Sequence, residues 1–136
     1  MSNNTAKFRF SGYQILKSNI EIKDPNNISD NLDIKFKRSS GVNEIENKYK
    51  LDIDVTIEDE NKNLLVEAIC NGFFEFDQNI TDKEKNVFFN TSAPAILFPY
   101  IRAYISTLTT LSGMRPIILP TINLTQGAVN DKEKED

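Results

Sequence analysis

Apolar and polar residues alternate along much of the chain. The alternation is regular at residues 32–37 and 49–58, and shorter stretches of it occur within residues 8–23 and 64–76. A period of two places alternate side chains on opposite faces of a strand, so these segments predict four strands. Polar connections such as residues 58–63 separate them. Consecutive strands joined by short polar links predict an antiparallel sheet.

Two local features follow from turn and capping chemistry. Within the fourth predicted strand, Gly72 interrupts the apolar residues and predicts a β-bulge or a close backbone approach. Further along, residues 81–84 read Thr-Asp-Lys-Glu, which fits a short, capped helical turn. The sheet is therefore expected to end before residue 81.

From residue 94 to residue 112 the period becomes helical. Apolar side chains recur every three or four positions, and Gly113 predicts the end of the helix. We expect one stripe of this helix to pack on the sheet, and the stripe consists of Leu97, Ile101, Tyr104, Leu108 and Leu111.

The face of this helix away from that stripe is unusual. A helix packed on a sheet normally carries charges on its outer face, but residues 94–112 contain one charged side chain. A covered outer face explains this composition, and a second copy of the chain is the simplest cover. The residues expected at this oligomer interface are Phe98, Arg102, Ile105, Ser106 and Thr109.

The segment after the helix is apolar and contains two prolines. Pro116 and Pro120 exclude a regular helix or a central strand over residues 114–124. The last six residues are all charged. We therefore divide the chain into a flexible N-terminus at residues 1–7, one domain at 8–124 and a disordered charged tail at 125–136.

The composition of the chain argues against several classes of function. Sixteen Lys and Arg against 20 Asp and Glu give a net charge of −4, which disfavours a nucleic-acid surface. The chain has no histidine, and Cys70 is its single cysteine, so His-based catalysis, most zinc sites and internal disulfides are excluded. We expect no enzyme activity and no cofactor. We find neither a membrane span nor a secretory signal, and expect a soluble, cytoplasmic protein.

A run of residues at the helix start carries a family resemblance. Residues 94–102 read Pro-Ala-Ile-Leu-Phe-Pro-Tyr-Ile-Arg, Gly113 follows, and residues 119–124 read Leu-Pro-Thr-Ile-Asn-Leu. This pattern is similar to that of SecB, the bacterial protein-export chaperone, and residues 17–25 and 67–74 resemble its first and fourth strands. The resemblance implies an α+β fold, with a four-stranded antiparallel sheet packed against a long C-terminal helix and assembled as a dimer of dimers.

The resemblance also implies a function. It implies an ATP-independent chaperone that binds unfolded or precursor polypeptides and keeps them competent for translocation. Family members that dock on the motor ATPase SecA carry acidic residues in the first strand, where this chain has Asn19 and Lys23. Glu67 keeps its carboxylate and is the possible SecA contact. Members of the family continue into a second amphipathic helix, and this sequence has 12 residues after Leu124.

A chaperone of this kind needs exposed apolar surface framed by polar residues. We select candidates by their aromatic or aliphatic character near irregular segments, although each is also a candidate for the core. The candidate client-binding residues are Phe36, Phe74, Phe76, Phe88, Phe89, Ile118, Leu119 and Ile122. Two alternative functions remain open: a dedicated SecB-like chaperone of a toxin–antitoxin system, and a non-chaperone protein-interaction module on the same fold.

Overall fold

The computed structural model describes residues 6–121. Within this range the chain forms one sheet of four antiparallel strands, in the order β1-β4-β3-β2. The strands are β1 (Phe8–Ile22), β2 (Leu32–Asn43), β3 (Lys48–Asp59) and β4 (Leu64–Phe76). The predicted antiparallel sheet is confirmed, and β2 extends beyond the predicted strand.

The strand order places the first strand beside the last. β2, β3 and β4 follow one another as hairpins, and residues 23–31 carry the chain from β1 at one edge to β2 at the other. This is a Greek-key type of connection. Two register shifts, between Phe10 and Gly12 and between Ile15 and Lys17, interrupt the pairing of β1 with β4. β1 is therefore a bulged edge strand.

One face of the sheet forms the core. In β3 the alternate residues Leu51, Ile53, Val55 and Ile57 are each 0% exposed, as the sequence alternation predicts. In β4 the core face includes Gly72, where a side chain of Leu97 lies against the strand. A close approach does occur at Gly72, but a side chain makes it, and β4 continues its pairing with β3 without a register shift at this residue.

Two helices follow the sheet. The first, α1 (Asp82–Val87), begins at Thr81, whose hydroxyl accepts the Glu84 N–H while the Glu84 side chain accepts the Thr81 N–H. This capping box confirms the predicted turn. A π-helical segment, Phe88–Ser92, joins it to α2 (Ala93–Leu111). Neither helix of the described range is long and apolar enough to cross a membrane.

The buried face of α2 is rotated relative to the predicted stripe. Leu97 and Ile101 are buried as expected, but Leu111 is 81% exposed. Three residues that the sequence predicts on the outer face, and therefore in the oligomer interface, are instead buried within their own chain; these are Phe98, Ile105 and Thr109. This placement corrects the sequence prediction, since side chains buried within their own chain are not available to another subunit in this conformation.

The reason for the rotation lies in the segment after α2. The Thr109 hydroxyl accepts the backbone N–H of Ile117 at 2.9 Å and donates to the Ile105 carbonyl at 2.8 Å. The chain returns across this side of the helix, and Ile117 and Leu119 enter the core. The returning segment therefore buries a threonine that the helical pattern alone assigns to the surface.

Candidate functional site: an apolar cleft beside β2

A cleft of about 630 Å³ opens between the β1–β2 connection and the segment that follows α2. Its floor includes Leu64, which is 2% exposed, while Ile118 on its wall is 56% exposed. The apolar side chains around the cleft are Ile22, Pro25, Ile28, Leu32, Ile34, Leu64, Met114, Pro116, Ile117 and Ile118. An open concave site with this lining can hold aliphatic or aromatic side chains of a ligand.

The core face of β2 continues the cleft along the sheet edge. Leu32 and Ile34 line it and are half-buried, and Phe36 is the next residue of the strand on the same face. The Phe36 ring is also half-buried and lies edge-on to Phe98 of α2, with 5.9 Å between ring centroids. The partly exposed apolar surface therefore continues from the cleft along β2. A client polypeptide bound in an extended form would run in this direction.

A buried carboxylate holds the β1–β2 connection in place. Asp59 is 1% exposed and accepts backbone N–H groups from Asn63 at 2.7 Å, Leu64 at 2.8 Å and Ser29 at 2.9 Å. Burial by itself raises the pKa of Asp59, but the N–H groups of Ser29, Leu64, Asn63 and Asn61 outweigh it and hold the pKa below its usual value. The ionised carboxylate thus fixes one wall of the cleft.

An ion pair spans the rim of the cleft. Arg115 Nη2 lies 3.4 Å from Asp30 Oδ1, and the two side chains are 87% and 91% exposed. Pairs this exposed contribute little to stability. The rim is therefore polar, and it can open without a large cost in free energy.

The structure brings two of the predicted client-binding residues to this surface. Ile118 lines the cleft, and Phe36 extends it along β2. Leu119, the neighbour of Ile118, is 0% exposed and belongs to the core. Ile122 lies outside the described residues.

The other predicted residues lie in an aromatic cluster elsewhere on the core face. Phe74 and Phe76 are 1% and 2% exposed, while Phe88 and Phe89 are half-buried. The Phe89 ring stacks on Tyr49 at 4.0 Å, and Phe88 and Phe74 both stack on Phe8 at 5.0 Å. In this conformation the cluster supports the fold, and its contact with clients stays a prediction.

Sequence reasoning missed several of the residues that line the cleft. Ile28 is an isolated apolar residue within the polar connection of residues 23–31, and Leu32 and Ile34 belong to the clearest alternation in the chain. Ile28 was therefore detectable as an apolar residue without an element to bury it. That Leu32 and Ile34 are only half-buried depends on how α2 crosses the sheet, which the sequence does not show.

The outward surface of α2 keeps part of the predicted interface. Arg102 is exposed and Ser106 is half-buried. Within α2 Arg102 is the single charged side chain, so the exposed face is composed of small, hydroxyl and apolar residues such as Tyr100 and Leu111. The oligomer interface thus stays a prediction, now restricted to this outward surface.

The possible SecA contact lies on the opposite face of the sheet. Glu67 pairs with Asn19 across β4 and β1, and its Oε1 accepts from Asn19 Nδ2 at 3.1 Å. Lys17 Nζ is 3.4 Å from the same oxygen. This carboxylate is therefore already engaged by neighbours on β1.

Cys70 lacks the properties of a nucleophile. The side chain is 1% exposed on the core face of β4. Burial, together with the negative charge of Asp52, raises the pKa of the thiol to about 11. At neutral pH the thiol is protonated, and it acts as a small apolar core residue.

Comparison with known proteins agrees with this architecture. Residues 15–133 match the family model described as preprotein translocase subunit SecB. An uncharacterized protein of Methanocaldococcus jannaschii, MJ0357, is 42% identical over 65 residues, which cover 48% of this chain and 41% of that protein. Protein-export protein SecB of Neisseria meningitidis serogroup B is 29% identical over 96 residues, covering 67% of this chain and 65% of the relative. The chain thus spans less than two thirds of the length of either relative.

A solved structure shares the fold. The SecB-like chaperone Rv1957 of Mycobacterium tuberculosis, in complex with a ChAD peptide from the Rv1956 HigA1 antitoxin, superimposes with a TM-score of 0.71. The alignment covers 85% of this chain and 88% of the mycobacterial one at 15% identity, so it concerns the fold alone. The family model covers most of the sequence and the strands and long helix match a SecB-like fold; the chain belongs to the SecB family.

Proposed function

We propose that this protein is an ATP-independent chaperone that binds unfolded or precursor polypeptides in an extended form. The observation that carries the proposal is the open apolar cleft beside β2, with Ile118 exposed on its wall and Leu32 and Ile34 half-buried beside it. Unfolded chains expose apolar side chains of many shapes, and a cleft with aliphatic walls and a polar rim accepts them without reading a particular sequence.

The binding energy comes from many small contributions. Burial of one apolar side chain contributes on the order of 1.5–3 kcal/mol, and several sites along one client raise the affinity through effective concentration. A chaperone that binds the unfolded state competes with folding and aggregation by mass action. Such a mechanism requires no nucleotide hydrolysis.

We further propose that the protein acts in the cytoplasm as a homo-oligomer, a dimer of dimers, that joins several clefts. Support comes from the exposed surface of α2, which carries Tyr100, Arg102 and Leu111 with no other charged residue on the helix. An apolar and hydroxyl-rich helix surface is typical of a surface covered by another subunit. Arg102 and Ser106 are the residues of the original interface prediction that fit this geometry.

A second candidate is a dedicated chaperone for one antitoxin. Two observations favour it over general export: Asn19 and Lys23 occupy positions at which docking relatives are acidic, and Glu67 is engaged by Lys17 and Asn19. The fold is also shared with a SecB-like chaperone that was solved with an antitoxin peptide. In this case SecA is not a partner, and the same cleft binds a segment of the antitoxin.

The test is suppression of aggregation of a reduced, unfolded model protein without nucleotide, on a sample whose oligomeric state is set by light scattering. We expect suppression near a one-to-one ratio, and its loss in Ile118→Asp. Lys37→Gln, an exposed change on the opposite face of β2 and away from both clefts, is the matched control. If the folded wild-type protein fails to suppress aggregation, the general chaperone is excluded, and a dedicated chaperone or a protein-interaction module remains. Binding of a purified SecA then separates export from the dedicated role.

A further inference from the structure

A second cleft, of about 490 Å³, lies at the end of the sheet away from the first and opens largely on the face opposite α2. Phe73 of β4 is half-buried here, and its cross-strand neighbour is Lys50 of β3. A glycine flanks this pair on each neighbouring strand. Gly41 of β2 pairs with Lys50, and Gly12 of β1 pairs with Phe73. In the described part of the chain, apart from each glycine and its two chain neighbours, no atom lies within 4 Å of the position of a Cβ at either glycine. Open space therefore lies beside Phe73 on the Gly12 side and beside Lys50 on the Gly41 side.

Two acceptor oxygens lie one row further along this face. Asn71 and Asp52 pair across β4 and β3, two residues from Phe73 and Lys50, which is about 7 Å along the strands. Asn71 is 4% exposed, and among the described residues neither its Oδ1 nor the Oδ1 of Asp52 has a hydrogen-bond partner. Buried acceptors of this kind are stabilised when a ligand supplies a donor.

The charged side chains around the site are loosely held. Lys50 Nζ lies 3.8 Å from Asp52 Oδ1, and Lys48 Nζ lies 3.8 Å from Glu46 Oε1, both longer than a direct hydrogen bond. The Lys50 and Lys48 side chains are 49% and 57% exposed. They are free to move over an aromatic ring, where an ammonium group is attracted to the ring face.

We propose that this cleft binds a tyrosine or tryptophan side chain of a partner polypeptide. The ring lies in the cleft that Phe73, Lys50 and Gly41 line, against the Phe73 ring, and its single O–H or N–H donates to the Asn71 or the Asp52 oxygen. Aromatic residues with a polar edge match a site that is apolar at one end and carries acceptors at the other. The site goes beyond the proposed function, since it lies apart from the cleft beside β2.

The chain has no tryptophan, which makes the test direct. The probe is a short neutral peptide of glycine and serine with one central tryptophan, titrated with the full protein and followed by tryptophan emission. We expect a saturable blue shift. A peptide with leucine in place of tryptophan should compete at least tenfold less well, since it lacks the donor and the ring.

Gly41→Val fills the cleft, and it does so without backbone strain because Gly41 has an ordinary φ and open space around it. We expect binding to weaken at least tenfold with the melting temperature unchanged. Asn71→Ala removes an acceptor and should weaken binding about tenfold, the effect of one hydrogen bond. It also keeps the test decisive if Gly41→Val folds poorly.

Ile118→Asp separates this site from the cleft beside β2. We expect it to bind the peptide as the wild type does, even if it loses aggregation suppression. The proposal is overturned if the wild-type protein does not bind the peptide, or if binding is lost in Ile118→Asp and kept in Gly41→Val. Neither result bears on aggregation suppression, so failure of this site and failure of the proposed function are distinguishable.

Discussion

The Leu97 side chain rests directly on Gly72, where a Cβ would lie 2.9 Å from both Leu97 Cδ atoms. Leu97 is 0% exposed, so its side chain has little room to move away. The contact sets the distance between α2 and the sheet. A glycine in the middle of a long strand, which weakens that strand locally, is explained by this packing.

Gly72→Ala should therefore destabilise the protein by about 1–3 kcal/mol, the usual cost of overpacking. The measurement is the free energy of unfolding in urea. Gly41→Ala is the matched control, a strand glycine with open space at its Cβ, and should be neutral or slightly stabilising. In the double variant Gly72→Ala, Leu97→Ala, the combined loss should be smaller than the sum of the two single losses.

Substitutions of core residues should reduce stability, whereas substitutions of cleft residues should weaken client binding. Phe74→Ala and Leu119→Ala remove side chains that are 1% and 0% exposed, so we expect losses of about 3–5 and 2–5 kcal/mol in stability. Ile118→Asp alters a side chain that is 56% exposed and should change stability by less than about 0.5 kcal/mol while weakening client binding. Unfolding curves and an aggregation assay on the same samples measure both effects. A stable Leu119→Ala variant with impaired client binding would contradict this division.

The Thr109 hydroxyl should contribute to stability and, indirectly, to client binding. Thr109→Val keeps the shape but leaves the buried N–H of Ile117 without its acceptor, at a cost of about 1–3 kcal/mol. Because this bond anchors the segment that carries Ile118, client binding should weaken as well. Thr110→Val is the control, since the Thr110 hydroxyl is exposed and donates only to the Ser106 carbonyl. Equal stability of the two variants would exclude the anchoring role.

Asp59 should make the fold sensitive to acid. Its pKa lies below the usual value of 3.8 in the folded state, so the ionised group stabilises the protein above that pH, and this contribution is lost as the pH falls through the folded pKa. Asp59→Asn should lower the melting temperature by several degrees at pH 7. The difference from the wild type should shrink below about pH 3.8. A constant difference across this range would show that the charge of Asp59 is not the cause.

Asp52 should have the opposite effect on the pH dependence of stability. Partial burial raises the pKa of Asp52 above 3.8, against the lowering effects of Lys50 and Ser39. The stability that the protonated form contributes is complete below the unfolded pKa and is lost as the pH rises through the folded pKa. Asp52→Asn removes the charge and can donate to the free Asn71 Oδ1. We expect a higher melting temperature than the wild type at pH 7, and a smaller gain near pH 4.

The sequence alone determined the secondary structure and the family. Alternation at residues 49–58, the Thr81–Glu84 capping box and the apolar helical pattern of residues 94–112 depend on neighbours in the chain, so local periodicity and capping chemistry were enough to predict them. Gly72 also indicated a tertiary contact, because a glycine within a strand often marks a bulge or a close approach. Ile118 was selected, like Leu119, as an aliphatic residue near an irregular segment, and its contact with clients stays a prediction.

Tertiary structure alone decided which apolar residues are available to a ligand. Phe74, Phe76 and Leu119 look like Ile118 in sequence, yet they are buried, because packing between β4, α2 and the returning segment decides their exposure. The face of α2 that carries Phe98, Ile105 and Thr109 was misassigned because Thr109 is covered by Ile117, eight residues later in the chain. The row formed by Gly41, Lys50, Phe73 and Gly12 joins residues of four strands through strand order and register, which long-range pairing sets and local sequence does not.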